Sequence, residues 1–283
     1  MNNYPTTYRL KTPGEIEAMR RAGEVVAITL RAMRDAIVPG ETTTLQLDEI
    51  AGETLKKYGA KPALLGYKPS FSQVPYQHNT CISVNNEVIH GVPNAKRVLK
   101  DGDLVSLDMD ASVDGWLADA TITVGVGQIS PKARKLLTVT RESLYKGIEQ
   151  AVAGNTIGDI GHAVQKLVER NGFNVLRDMV GHGIGQVPHE PGLDVPNYGK
   201  PGKGIRLQVG MTFCIEPMVT AGSYVVKHAP NDIWTIVTKD GSLAAHWEHT
   251  VAITEDGPII LTEPPKEDLA PSNEVSGSEL SGG

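Results

Sequence analysis

The sequence predicts an α+β fold in which two pairs of helices cover one face of a mostly antiparallel sheet. Three observations carry this. Segments with helical period come in consecutive pairs, apart from the strand-like runs, which disfavours a parallel βαβ order. Short strand patterns with turn signals follow each pair, as antiparallel neighbours require. Three segments recur in the same order, so the chain resembles two related halves that build one shared sheet.

The first helix begins at Thr12-Pro13, a hydroxyl N-cap followed by proline at the first helical position. It runs through TPGEIEAMRRAGEVVAITLRAM and should stop near Pro39-Gly40. TTLQLDEIAGETLKKYG supplies the second helix. SPKARKLLTVTRESLYKGIEQ repeats the opening from Ser130-Pro131 and should end near Ala153-Gly154, and NTIGDIGHAVQKLVERNG completes the second pair. Residues 99–108, LKDGDLVSLD, align with residues 207–216, LQVGMTFCIE, and each copy is read as a short strand with a carboxylate at its end. Further strand patterns are TCISVN, GWLADATITVGV, SYVV, DIWTIV and LAAHWEHTVAIT.

The chain has 283 residues with 27 basic and 33 acidic side chains, a net charge of −6. Residues 1–262 are expected to form a single catalytic domain, and 263–283 an acidic disordered tail rich in Glu, Ser, Pro and Gly. From Glu263 onward the tail holds five acids and one base, so the body carries only −2. Such a balance argues against broad binding to nucleic acid or anionic membrane. Two cysteines, Cys81 and Cys214, are too few for a disulfide framework and suit a reducing, cytoplasmic compartment. The N-terminus lacks a signal-peptide core, and no apolar run reaches the ~20 residues that span a bilayer.

Acids and histidines recur at the ends and turns of these elements. In DLVSLDMDASVDGWLADATITV, Asp114-Gly115 is a two-residue hairpin signal, and residue i then faces residue 229 − i. Asp110 sits opposite Asp119, Asp108 lies diagonal to it, and all three share one face. Like charges in that arrangement repel. A divalent metal would offset them, although a solvated acidic face would read the same way on the hairpin alone. His182 and His189 occupy a Gly/Pro-rich loop, VGHGIGQVPHEPG. Glu216 ends an apolar strand, where an isolated glutamate is costly unless paired or metal-bound. Glu248 shares a strand face with His246 and Thr250, and His90 closes the strand-turn VNNEVIHGVP. Together these residues suit two divalent ions held by oxygen and one histidine nitrogen, a chemistry for amide hydrolysis.

The motifs TPGEIEAMRRAG, CISVNNEVIHGVP, LKDGDLVSLD, GWLADAT, GHGIGQVPHEP, GMTFCIEPM and KDGSLAAHWEHT resemble those of the type I methionine aminopeptidases of the short bacterial form. The resemblance covers about residues 9–260. It implies the pita-bread fold of the creatinase/aminopeptidase group, with internal pseudo-two-fold symmetry. It implies Asp108, Asp119, His182, Glu216 and Glu248 as ligands of two divalent ions (Co, Mn, Fe or Zn), and so selects Asp108 over Asp110. Asp119 and Glu248 would bridge the ions, and a hydroxide between them would attack the carbonyl of the first residue. Glu216 would move the proton, His189 would bond the scissile peptide, and His90 would meet its nitrogen. Tyr67, Tyr76, Cys81 and Trp234 would wall the methionine pocket. The implied activity is removal of initiator methionine from nascent chains near the ribosome, by a monomer, when the second residue is small. Two departures stand out. The link KPSFSQVPYQHNT is longer than in the family, and Pro188 replaces an aromatic before His189.

Overall fold

The computed structural model describes residues 7–68 and 74–263. The proposed tail, from residue 264 on, and the middle of the long link, residues 69–73, lie outside the described residues.

Four α-helices occur among the described residues: α1 (Pro13–Asp35), α2 (Thr44–Lys57), α3 (Pro131–Ile148) and α4 (Ile157–Arg170). Their starts follow from capping chemistry. Thr12 accepts from Glu15 N while the Glu15 carboxylate accepts from Thr12 N, a reciprocal capping box. Thr43 with Gln46 repeats the device, Thr156 N and Oγ1 both donate to Asp159 Oδ2, and Ser130 Oγ accepts from Ala133 N. α3 stops at Ile148, short of the expected Ala153-Gly154. Three-residue turns, Gln150 N to Gly147 O and Ala151 N to Ile148 O, tighten its end, and Ala151 is buried just past it.

The main sheet has nine antiparallel strands among the described residues. Side by side lie Lys61–Pro62, Leu104–Val113, Trp116–Gly125, Glu248–Thr254, Thr212–Ile215, Gly181–Gly183 and Glu190–Val195. Cys81–Val84 also pairs with Leu104–Val113, and Gly257–Ile260 with Glu248–Thr254. Strands from both halves therefore meet in one sheet. The anticipated hairpin register is realised, with Asp110 opposite Asp119 and Asp108 opposite Thr121. Asp114 and Gly115 both adopt left-handed φ, 51° and 83°, as a turn matched to strand twist requires.

Three strand assignments need correction. Asp108 lies in the middle of a ten-residue strand, not at the end of a short one. The SYVV pattern contributes only Val226 to the strand Val226–His228, whose place is set by pairing with Ile236–Thr238. LAAHWEHTVAIT is two strands, because the chain changes sheets at Trp247. Ala244–His246 pairs with Met218–Thr220, and Glu248–Thr254 joins the main sheet.

One face of the sheet is packed by the helices. Val26, Leu30 and Leu47 of α1 and α2 cluster with Leu107, Met109, Ala118 and Ala120. Leu144, Ile148 and Ile160 of α3 and α4 cluster with Phe213, Ile215, Val251 and Ile253. No described helix is long and apolar enough to cross a membrane.

His249 lies on this packed side, with Nδ1 2.8 Å from Thr262 Oγ1 and Nε2 3.4 Å from the Tyr145 hydroxyl. Burial holds its pKa down to about 4. An unfolded histidine titrates near 6.5. Below that value the unfolded chain takes up a proton that the native state refuses until pH is near 4. Stability is thus present above about pH 6.5 and lost as pH falls towards 4, by about 3 kcal/mol at most. Urea melts of the parent and of His249→Gln at pH 7 and pH 4.5 should show a smaller acid-induced fall in the variant.

Candidate metal centre

Alternation along the strands turns the acids away from the helices. Leu107 and Met109 face α1 and α2, so Asp108 and Asp110 face the other way. Phe213 and Ile215 face α3 and α4, so Cys214 and Glu216 face the acids. Val251 and Ile253 leave Glu248 and Thr250 on that same side. Gly181 lets the His182 strand lie against its neighbour, since a Cβ there would be 2.3 Å from Cys214 O.

The structure brings Asp108, Asp119, His182, Glu216 and Glu248 together. Thr121 Oγ1 is 2.8 Å from Asp108 Oδ1 and 2.9 Å from Glu248 Oε2. Its single proton can serve only one of the two carboxylates. His182 Nδ1 donates to Gly183 O at 3.2 Å, which leaves Nε2 as the lone-pair nitrogen. That nitrogen lies 3.6 Å from Glu216 Oε1 and 4.0 Å from Asp119 Oδ2. Thr250 Oγ1 accepts from Asp119 N and donates to Asp119 O, fixing the backbone at Asp119. Asn197 Nδ2 holds Glu216 O at 2.9 Å.

Burial raises the pKa of Asp108, Asp119, Glu216 and Glu248. For Asp119, Glu216 and Glu248 the neighbouring carboxylates push further in the same direction. Burial also lowers His182 well below its ordinary value, keeping the imidazole neutral. Asp119 Oδ1 and Glu248 Oε1 are buried without a hydrogen-bond partner. Acceptors facing acceptors, two orphaned carboxylate oxygens and a histidine in its metal-binding tautomer fit divalent cations.

The other expected residues surround this cluster. The His189 ring centroid is 4.0 Å from that of His182, and Tyr67 stacks on His189 at 5.9 Å. Burial lowers His90 to about 4, and His189 and His246 lie within electrostatic reach of it. Tyr76 is buried, donates to Thr80 O at 2.9 Å and meets Trp234 edge-on at 5.0 Å. Cys81 is buried beside it, with its Cα paired to Asp108. The long link reaches this wall in a fixed way. Asp48 of α2 accepts from Asn79 N, Thr80 N and Thr80 Oγ1, each at 2.9 Å, immediately before Cys81.

Several residues near the cluster were not assigned roles from the sequence. His246 Nε2 lies 3.5 Å from Glu216 Oε2. Thr121 joins two of the acids, and Cys214 lies with Asp119, His182 and Glu248. The signals were present. Thr121 is the hairpin partner of Asp108, and Cys214 precedes Glu216 by two residues.

A carboxylate-rich cage with one histidine, on a sheet backed by two helix pairs, is the architecture of a metal-dependent hydrolase. The chain belongs to metallopeptidase family M24, whose sequence profile matches residues 17–255. It is 49% identical over 253 residues to the methionine aminopeptidase of Clostridium acetobutylicum, covering 89% of this chain and 98% of that one. With methionine aminopeptidase 1 of Bacillus subtilis it shares 48% identity over 252 residues, 89% and 98% of the two chains. The crystal structure of the Thermotoga maritima methionine aminopeptidase superposes with a TM-score of 0.86 at 47% identity, covering 90% and 99%. The Pyrococcus furiosus prolidase shares the pita-bread fold at a TM-score of 0.71 and 24% identity, covering 91% of this chain and 66% of that one.

Proposed function

We propose that the chain is a methionine aminopeptidase that removes N-terminal methionine from polypeptides, preferably when the second residue is small. One observation carries the reading. The five-residue cage, with its two orphaned carboxylate oxygens, occurs in a chain alike along nearly its whole length to proteins named for that activity. Nascent chains near the ribosome are the natural substrates, in the cytoplasm, and the enzyme works as a monomer.

Asp119 and Glu248 would reach both of two ions, Asp108 would hold one, and His182 with Glu216 the other. Divalent ions so held supply an activated water near neutral pH and polarise the scissile carbonyl. The protein's own groups do the rest. The Glu216 carboxylate takes the proton of the attacking water and passes it to the departing amine nitrogen. His189, beside His182, donates to the scissile peptide and fixes its orientation. His90 is neutral at pH 7 because burial holds it near 4, so it can hydrogen-bond the peptide nitrogen without adding charge. Tyr67, Tyr76, Cys81 and Trp234 offer an aromatic and thiol wall for a thioether side chain.

Cleavage of Met-Ala-Ser by metal-stripped protein re-supplied with Mn, Fe, Co or Zn tests the reading. The expected result is release of methionine with at least one ion and little cleavage of Leu-Ala-Ser. Equal cleavage of the two peptides would overturn the specificity. His90→Ala should lower kcat by about 10- to 1000-fold with its metal content unchanged. Loss of metal in that variant would move His90 into the cage.

A further inference from the structure

Cys214 has no part in the mechanism above, yet it faces the cage. It lies on the Thr212–Ile215 strand two residues before Glu216, which directly follows the strand, so alternation puts both side chains on one face. Its Sγ is 3.7 Å from Thr250 Oγ1. One ligand atom each from Asp119, His182, Cys214 and Glu248 lie within 4.8 Å of one another. A buried thiol beside apolar Ile184 and Ala252 would ordinarily be a packing residue. A second observation separates this one from packing. Glu248 is 2% exposed, Thr121 occupies its Oε2, and its Oε1 is buried with no partner in this four-residue group. An anionic oxygen left bare beside a neutral imidazole nitrogen and a sulfur marks a place for a cation.

We infer that Cys214 is an additional, soft donor of the cage, taken up when the bound ion is thiophilic, such as Zn2+ or Cd2+. This rests on the metal-cage reading of the preceding section. Sulfur, imidazole nitrogen and two carboxylate oxygens form a donor set that zinc holds in four-coordination. Harder Mn2+ is satisfied by the oxygens and His182, and it leaves the thiol protonated. On uptake of a thiophilic ion the S–H bond breaks. Its electron pair becomes the sulfur–metal bond, and the proton passes by way of Glu248 to water. No oxidation state changes. The consequence is two modes of occupancy: one all oxygen and nitrogen, the other with a sulfur bond that competes with the bridging acids.

X-ray absorption of the metal-stripped full-length protein loaded with Zn2+ alone tests this. The expected spectrum contains a sulfur neighbour at about 2.3 Å beside nitrogen and oxygen at about 2.0–2.1 Å. Cys214→Ser should lose the sulfur neighbour, and Cys81→Ser should retain it. Cd2+ affinity in Cys214→Ser should fall by about tenfold or more, with Mn2+ affinity within about threefold of the parent. A zinc shell of only nitrogen and oxygen in the parent would overturn the inference and leave the cage intact. A sulfur neighbour that survives in Cys214→Ser and vanishes in Cys81→Ser would also overturn it. Failure of the parent to take up any ion would overturn both readings.

Discussion

Glu248→Gln is expected to lose at least about a thousandfold of its metal-supported turnover, with reduced metal content. Its metal-free form is expected to melt at a higher temperature than the metal-free parent. Both effects have one cause. Glu248 is tied to several members of the group: it accepts from Thr121, has a ligand atom within 4.8 Å of Cys214, His182 and Asp119, and adds to the raised pKa of Asp119. Divalent ions held in the cage would neutralise its charge, and a neutral amide cannot offer that charge to a cation. Without ions the same charge is buried against Glu216 and Asp108. Because the folded pKa lies above the unfolded value, the carboxyl adds stability below about pH 4.3 and loses it as pH rises through the folded pKa. The variant's thermal advantage in chelator should therefore be present at pH 8, at least about 2 °C, and should fade at low pH. Peptide cleavage, metal analysis and melting curves in chelator at two pH values read all three. Asp108→Asn should behave alike in activity, and full activity in either variant would remove that residue from the ligand set.

The two-part behaviour also explains what the sequence could and could not reveal. Local rules were enough for the hairpin. Asp114-Gly115 fixed the turn, the turn fixed the register, and the register put Asp110 opposite Asp119. Capping residues placed the starts of the first and third helices for the same reason, since each cap involves neighbours only a few residues apart. Convergence of the cage was a different matter. It depends on Glu248–Thr254 lying between Trp116–Gly125 and Thr212–Ile215, contacts more than a hundred residues apart on one side and over thirty on the other. No periodicity encodes that pairing, so the ligand set came through family resemblance. The strand break at Trp247 was hidden too, because the two pieces alternate in phase and only their different partner strands separate them. Thr121 and Cys214 lay within reach of period-two reasoning. They were passed over because threonine does not announce a ligand and Cys214, inside an apolar strand pattern, was weighed only for disulfide pairing.

Lys11→Met should destabilise the protein by about 3–5 kcal/mol, a fall of about 10 °C in melting temperature, although it removes only one cation far in sequence from the cage. Lys11 Nζ lies 2.5 Å from Glu190 Oε2, and the two side chains are 1% and 4% exposed. Burial draws both groups towards their neutral forms, lowering Lys11 and raising Glu190, and the contact between them opposes both shifts. Removing the lysine leaves a carboxylate with neither water nor a counter-charge, and that stranded charge is the main source of the loss. The double variant Lys11→Met, Glu190→Leu should therefore recover most of it, since apolar pairs of similar size often match a buried ion pair. The site should feel the single change as well. Glu190 directly follows His189, and the Lys11 segment is tied to the second half by Tyr8 N to Pro191 O and Lys11 N to Gly210 O. A loosened His189 costs orientation of the peptide, so kcat should fall more than metal content in the single variant and return in the double one. If the double variant is as unstable as the single, the pair acts through a specific contact, and the stranded-charge account fails.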